Sequence, residues 1–327
     1  MQITRRHALQ FLAASLPSLT IPSAWAQHSS WPSKPIRIIV AFPPGGGTTI
    51  VARIVGEKLS QHLGQSVIID NKPGANGIIA MEELLKAPAD GHTLCVVTNT
   101  HSLNPVIQSK LPYDTLNDFV GIGALYGFEL LLTVTPSIPV NDVLNLATWS
   151  NTNPGKFSFA TGDTYGITYL ASEMYNLLAG TKIPLIPYKG GGQAIVDVMG
   201  GHAGGYFGSV ATALPYVKAG KLKALAISGK SRVPTLPDVP TFAESGMPKF
   251  DSSCWAGVFA RAGTPVDIIT KLNEEINAVM ASPEGKSFLS DQGLEPLFVS
   301  SSEFNNIVKN DIEKFREIVK KTGMKIE

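Results

Sequence analysis

The groups in this chain best suited to chemistry are backbone amides rather than acids, bases or nucleophiles. The run Phe42-Pro43-Pro44-Gly45-Gly46-Gly47-Thr48-Thr49 follows an apolar stretch and opens an amphipathic one. Glycines let a backbone approach a ligand closely and adopt conformations closed to other residues. The start of a helix offers unpaired N–H groups and partial positive charge. Thr48 and Thr49 set two hydroxyls beside them, and together these groups make an uncharged cradle for an anion. A hydrogen bond to a charged group contributes roughly 1.5–3 kcal/mol. Two or three would supply much of the ~8 kcal/mol that a micromolar complex needs. The same run also reads as a tight strand-to-helix turn without a ligand, and spacing alone does not separate the two.

Signatures of covalent or metal chemistry do not appear in the sequence. It contains no Gly-x-Ser-x-Gly elbow and no Ser-x-x-Lys pair, nor a His-Glu-x-x-His. Gly229-Lys230-Ser231 and Gly285-Lys286-Ser287 resemble phosphate-loop endings, but the required upstream glycine is Ala224 in one and Met280 in the other. Neither triple glycine extends to a dinucleotide fingerprint, because Ile50 and Ile195 occupy the last position. His62, His92, His101 and His202 have no metal-ligand spacing. An enzyme reading is left with Ser209 or Thr164 as nucleophile, each without a base evident in sequence, although triads are assembled in space.

The elements that must position the glycine run alternate in type. Residues 36–42 form a continuous apolar strand candidate. Ile50, Val51, Ile54, Val55, Leu59 and Leu63 then recur at helical spacing. Strands are predicted over 67–69 and 93–98, with a short helix after Gly77. This β-α-β-α-β order implies parallel strands with right-handed crossovers, covered on both faces. A second unit begins with a strand over 128–134 and a helix capped by Asn141. It continues with strands over 156–161 and 182–188, at 206–207 and over 223–228. Helices over 167–178, 193–199 and 211–219 lie between them. Pro234, Pro237, Pro240 and Pro248 mark a loop-rich return to a strand over 254–260. Helices starting at Pro265, Pro283 and Ser302 follow, the last with a stripe of Phe304, Ile307, Val308, Ile312, Phe315 and Val319. Two α/β lobes joined by two crossings, near 127–130 and 251–255, fit this order; one large α/β enzyme domain is the alternative.

At 327 residues the chain is long enough for two lobes. Lys+Arg 27 against Asp+Glu 26 gives no broad field for nucleic acid or an anionic membrane, so an anion site must be local. Arg5 and Arg6 precede an apolar run to Ile21, and Ala24-Trp25-Ala26 supplies small residues for a peptidase. A signal peptide over 1–26 is expected, cleaved after Ala26, with Thr4-Arg5-Arg6 a partial match to the twin-arginine route. As a membrane anchor the run is too short and is broken by Pro17 and Pro22. Loss of Arg5 and Arg6 moves the net charge from +1 to −1. Cys95 and Cys254 lack metal spacing; they read as one disulfide or as two buried thiols.

Ordered motifs run through the whole mature length. Trp31-Pro32-x-Lys34-Pro35-Ile36-Arg37 precedes the glycine run. Asn71-Lys72-Pro73-Gly74-Ala75-Asn76-Gly77, Ala89-Asp90-Gly91-His92-Thr93-Leu94 and Leu111-Pro112-Tyr113-Asp114 follow it. Further on come Asn153-Pro154-Gly155-Lys156, Pro187-Tyr188-Lys189-Gly190, Leu236-Pro237-Asp238-Val239-Pro240-Thr241 and Ala262-Gly263-Thr264-Pro265. In these motifs the chain resembles the Bug family of periplasmic solute receptors, the substrate-binding subunits of tripartite tricarboxylate transporters. The resemblance implies an α/β two-lobed periplasmic-binding-protein (Venus-flytrap) fold with two hinge crossings. Lobe 1 would comprise 27–129 and 253–327, and lobe 2 residues 130–252. It implies a monomeric receptor in the periplasm, without cofactor, metal or catalysis. That receptor would capture a small organic carboxylate for the membrane subunits of a transporter. A periplasmic hydrolase acting on a carboxylate, or a sensor feeding a signalling system, are the alternatives.

Carried onto this chain, the resemblance makes one ligand wall of Phe42, Pro44, Gly45, Gly46, Gly47, Thr48 and Thr49 with Thr98 and Asn99. The other wall is Thr161, Asp163, Thr164, Tyr165, Gly166, Tyr188, Lys189, Phe207 and Ser209. Three departures from the family pattern stand out: Thr49 and Gly208 where relatives can carry Asp, and Tyr165-Gly166 where they usually show a glycine and a hydroxyl residue. These departures point to a carboxylate without an amino group and with a flat or aromatic body, against an ordinary aliphatic diacid.

Overall fold

The computed structural model describes residues 31–45, 47–162, 164–188 and 190–323; the expected signal peptide and the site positions Gly46, Asp163 and Lys189 lie outside them. The strands form two five-stranded sheets. The first contains β1 (Ile36–Val40), β2 (Val67–Asn71), β3 (Thr93–Thr98), β4 (Phe119–Phe128) and β10 (Cys254–Arg261), in the order β2-β1-β3-β10-β4. The second contains β5 (Leu130–Val134), β6 (Phe159–Thr161), β7 (Leu185–Pro187), β8 (Gly205–Ser209) and β9 (Lys223–Ile227), in the order β7-β6-β8-β5-β9.

As the β-α-β order predicts, β1 runs parallel to β2 and β3, and β6 runs parallel to β7 and β8. Both faces of the inner strand β1 are covered, and Ile36, Ile38, Ile39 and Val40 are buried accordingly, whereas the edge strands β2 and β7 leave Ile68 and Ile186 exposed. Each sheet is nevertheless mixed. β10 is antiparallel to β3 and β4, and β5 is antiparallel to β8 and β9.

The helices are α1 (Gly47–Leu63), α2 (Ile78–Lys86), α3 (Thr100–Ile107), α4 (Val143–Thr152), α5 (Ile167–Ala179), α6 (Gly191–Met199), α7 (Val210–Lys218), α8 (Val266–Ala281), α9 (Pro283–Asp291) and α10 (Ser301–Thr322). α10 is opened by a capping box of Ser300 and Glu303, and it buries Phe304, Val308, Ile312, Phe315 and Val319. Asp142, not Asn141, caps α4, accepting the Asn145 amide at 2.7 Å. The strands expected over 156–161 and 182–188 shrink to three residues each.

Sequence reading misses β4 and α3. β4 carries Gly121, Gly123 and Gly127, which lower strand propensity. Packing explains two of them. A Cβ at Gly121 would come within 2.7 Å of the Phe304 ring, and one at Gly123 within 2.7 Å of Asn273 Nδ2. α3 is short and contains Pro105. Cys95 and Cys254 are both buried and free. Cys95 lies opposite Phe259 on β10, far along the strand from Cys254.

The chain passes between the sheets twice. Glu129 alone separates β4 from β5, and residues 228–253 lead from β9 to β10.

Candidate ligand-binding site

In open α/β sheets, ligands bind beyond the carboxyl ends of the strands. In the first sheet, β1 ends at Val40 and the glycine run carries the chain into α1. Gly45 is exposed at φ +86, a left-handed conformation suited to glycine. A Cβ built at Gly45 or Gly47 would meet nothing within 4 Å. Packing therefore does not require the small residue at Gly47, in contrast to Gly121 and Gly123, and the space beside the backbone stays open. Phe42 is half-buried, and Pro44 is exposed.

The two threonines do different things. The Thr48 hydroxyl lies 2.8 Å from the Tyr126 hydroxyl on β4. Burial pushes the Tyr126 phenol up to about 12, so it stays protonated at neutral pH. Thr49 is turned inward and is 1% exposed. Its hydroxyl donates to the Pro43 carbonyl at 3.1 Å and accepts from Asn71 Nδ2 at 2.9 Å. Asn71 also donates to the Phe42 carbonyl at 2.8 Å. The Thr49 side chain thus braces the loop from inside. Thr98 is buried, with its hydroxyl 3.3 Å from that of Thr100. Asn99 is fully buried; its amide donates to the Trp255 carbonyl at 3.1 Å, and its side chain lies beside the Cys254 thiol.

In the second sheet, β6 and β7 end in loops that open α5 and α6. The preceding residues are Gly166 and Gly190, which have no side chain to act as an N-cap. α7 differs. The Ser209 hydroxyl accepts the Thr212 amide at 3.3 Å and lies 2.7 Å from the Thr212 hydroxyl. Ser209 therefore works as a helix cap, and neither of these partners is a base. Thr161 is buried, and its carbonyl accepts the Tyr188 amide at 2.9 Å. The Tyr188 phenol is raised by its hydrogen bond to Asp197, which directs it along α6. Thr168 accepts the Gly162 amide at 2.9 Å, fixing the turn that carries Thr164, which is exposed.

Tyr165 adopts φ +61 and lies 5.2 Å from Tyr169, ring to ring. For a bulky side chain that backbone is an outlier. The Phe207 ring packs away from solvent. It is fully buried, stacked on Phe250 at 5.6 Å and on Phe242 at 6.0 Å, because its position on β8 points into the aromatic core. The neighbouring Gly208 has a packing reason: a Cβ there would meet the Tyr206 ring at 2.4 Å. One at Gly191 would meet the Tyr206 hydroxyl at 2.3 Å, and one at Gly162 would lie 3.2 Å from it. Three glycines of this wall thus leave room for one phenol.

Tyr126, Asn71 and Tyr206 are the residues that sequence reasoning missed. Tyr126 belongs to the strand hidden by its glycines. Asn71 was visible only as part of a motif. Tyr206 gave no signal beyond a short apolar pair. Among the described residues, no group of three or more His, Cys, Asp or Glu is placed to hold a metal ion.

Comparison with known proteins places the chain among transport receptors. The family described as "Tripartite tricarboxylate transporter family receptor" matches residues 51–324. "Protein BugT" of Bordetella pertussis is 32% identical over 329 residues, covering 100% of both chains. The structure of a periplasmic transporter superposes with a TM-score of 0.82 at 36% identity, covering 91% of this chain and 100% of that one. R. palustris Rpa4515 with adipate superposes with a TM-score of 0.82 at 31% identity, covering 90% of this chain and 98% of that one.

Proposed function

Given that this chain belongs to the receptor family of tripartite tricarboxylate transporters, we propose that it captures a small organic carboxylate between its two sheets and delivers it to the membrane subunits of such a transporter. It is a solute-binding receptor and not an enzyme. The observation that carries the ligand class is the placement of helix starts: α1, entered past Gly45 and Gly47 with open space beside them, and α5 and α6 all begin beyond the carboxyl ends of strands. Partial positive charge there favours an anion without a basic side chain. The adipate in the R. palustris relative is a carboxylate of this kind.

In this reading lobe 1 is 27–129 with 253–327, lobe 2 is 130–252, and the lobes close on the ligand about the two crossings. The receptor acts as a monomer in the periplasm after cleavage behind Ala26, so the mature protein begins at Gln27. Among the described residues no helix is long and apolar enough to cross a membrane. Native mass spectrometry of protein purified from the periplasm, followed by a thermal-shift panel of adipate, shorter diacids, aromatic acids and amino acids, tests the proposal. A bound or stabilising organic acid, recovered unchanged after incubation, is expected. A panel without any stabilising carboxylate, or a ligand recovered chemically altered, would count against it.

A further inference from the structure

Glu129 is the single residue between the two sheets at the first crossing, and its carboxyl is partly buried. The Ser228 hydroxyl, just past the end of β9, lies 2.7 Å from Glu129 Oε2. That same hydroxyl accepts the Leu130 amide at 2.8 Å and lies 3.3 Å from the Ser252 carbonyl, two residues before β10. One serine oxygen thus touches the first crossing, the exit from the second sheet and the return to the first. The packing around the carboxyl is tight. A Cβ at Gly229 would come within 2.6 Å of Glu129 Cδ.

The Ser228 hydroxyl has one proton and two possible acceptors. When Glu129 is ionised, that proton goes to the carboxylate, and the Ser252 carbonyl loses it. When Glu129 is protonated, its O–H donates to the Ser228 oxygen and the Ser228 proton turns to Ser252. The chain of donors then runs Glu129 to Ser228 to Ser252 and joins both crossings. We propose that Glu129, Ser228 and Ser252 form a proton-operated latch across the two passages between the sheets, closed when Glu129 carries the proton.

The surroundings favour the protonated form. Burial pushes the Glu129 carboxyl up to about 7; its hydrogen bond with Ser228 opposes the rise, and the nearby Glu295 and Asp251 add to it. Lys314 on α10 pulls the other way, but it is engaged by Asp251 at 3.0 Å. Asp311 on α10 accepts Trp255 Nε1 at 2.7 Å, and the Cys254 thiol is buried at the start of β10. Among the described residues no ion pair engages Glu129. A carboxyl whose pKa is raised in this arrangement binds its proton more tightly here than in any state that exposes it. Acidification through neutrality therefore favours this arrangement, and alkalinisation loosens it. The inference concerns the crossings and stands whatever the ligand is.

Hydrogen exchange of the ligand-free protein tests it, with protection of the segments holding Leu130 and Ser252 corrected for intrinsic rates. Wild type is expected to lose protection on the order of tenfold between pH 6 and pH 8. Glu129→Gln, whose amide donates as the protonated acid does, should hold the acid level at both pH values. Ser228→Ala should sit at the lower level at both. Gly229→Ala displaces the carboxyl while keeping every latch residue, and it should also lose the pH dependence. Asp311→Asn should keep it. Equal protection at the two pH values in wild type, or an unchanged pH response in Glu129→Gln and Gly229→Ala, would overturn the latch.

Discussion

The hydroxyls of Thr48 and Tyr126 lie 2.8 Å apart, joining the first turn of α1 to the strand that ends at the first crossing. The buried phenol keeps its proton at neutral pH and can donate it to Thr48, which frees the Thr48 proton for a ligand oxygen. Tyr126→Phe removes that partner without changing the ring. The variant is expected to lose about 1 kcal/mol of stability and to bind the acid found in the thermal-shift panel several-fold more weakly. Calorimetry and denaturant unfolding on both proteins would check this. Unchanged affinity would reduce the pair to a structural contact.

Gly47→Ala separates ligand approach from folding. A Cβ at Gly47 meets nothing within 4 Å, and alanine is the better helix former. The melting temperature should stay level or rise. If the loop backbone touches the ligand, affinity should fall tenfold or more, an order-of-magnitude expectation for about 1.4 kcal/mol of lost contact. Full affinity in a stable Gly47→Ala protein would refute the cradle.

Tyr165 tests selectivity. Its left-handed backbone costs a side chain roughly 1–2 kcal/mol, and glycine would relieve that at an entropic cost of roughly 0.5–1 kcal/mol. Tyr165→Gly should therefore leave stability within about 1 kcal/mol of wild type. Without the ring beside Tyr169, aromatic acids should lose affinity relative to aliphatic diacids. A panel in which aspartate or glutamate binds best, or in which the variant leaves aromatic acids untouched, would contradict the flat-ligand preference.

His101 sets an acid limit. It is buried on α3 among Tyr113, Phe119 and Phe259, and burial lowers its imidazole to about 3. The unfolded chain takes up a proton near the ordinary histidine pKa while the folded protein does not, so stability is full above about 6.5 and falls with pH below it. The loss approaches the order of 4 kcal/mol near pH 3. His101→Phe keeps a ring in the cluster and removes the titration. Denaturant unfolding from pH 4 to pH 7 should show a flatter acid limb in the variant, and an identical limb would exclude His101 as its source.

Much of the fold was legible because its signals are local. The apolar run at 93–98, the helical spacing of 50–63 and the stripe from Phe304 to Val319 each declare an element without reference to the rest of the chain. β4 was not legible, since Gly121 and Gly123 are there for Phe304 and Asn273, residues far away in sequence. On the candidate walls the types of residue were readable, but their directions were not. Thr48 and Thr49 are adjacent and chemically identical, yet one faces Tyr126 and the other is sealed behind Asn71.

The sequence alone determined the α/β class, two units of strand and helix, a glycine-rich helix start suited to an anion, and the family. Periodicity, turn chemistry and ordered motifs are properties of neighbouring residues, and they survive without a structure. Only the tertiary structure decided which strands are antiparallel, that both cysteines are free, that Phe207 is core, and that Glu129 meets Ser228 and Ser252. Those facts depend on which distant groups share one small volume. Burial and hydrogen-bond partners are set there by packing and not by sequence spacing.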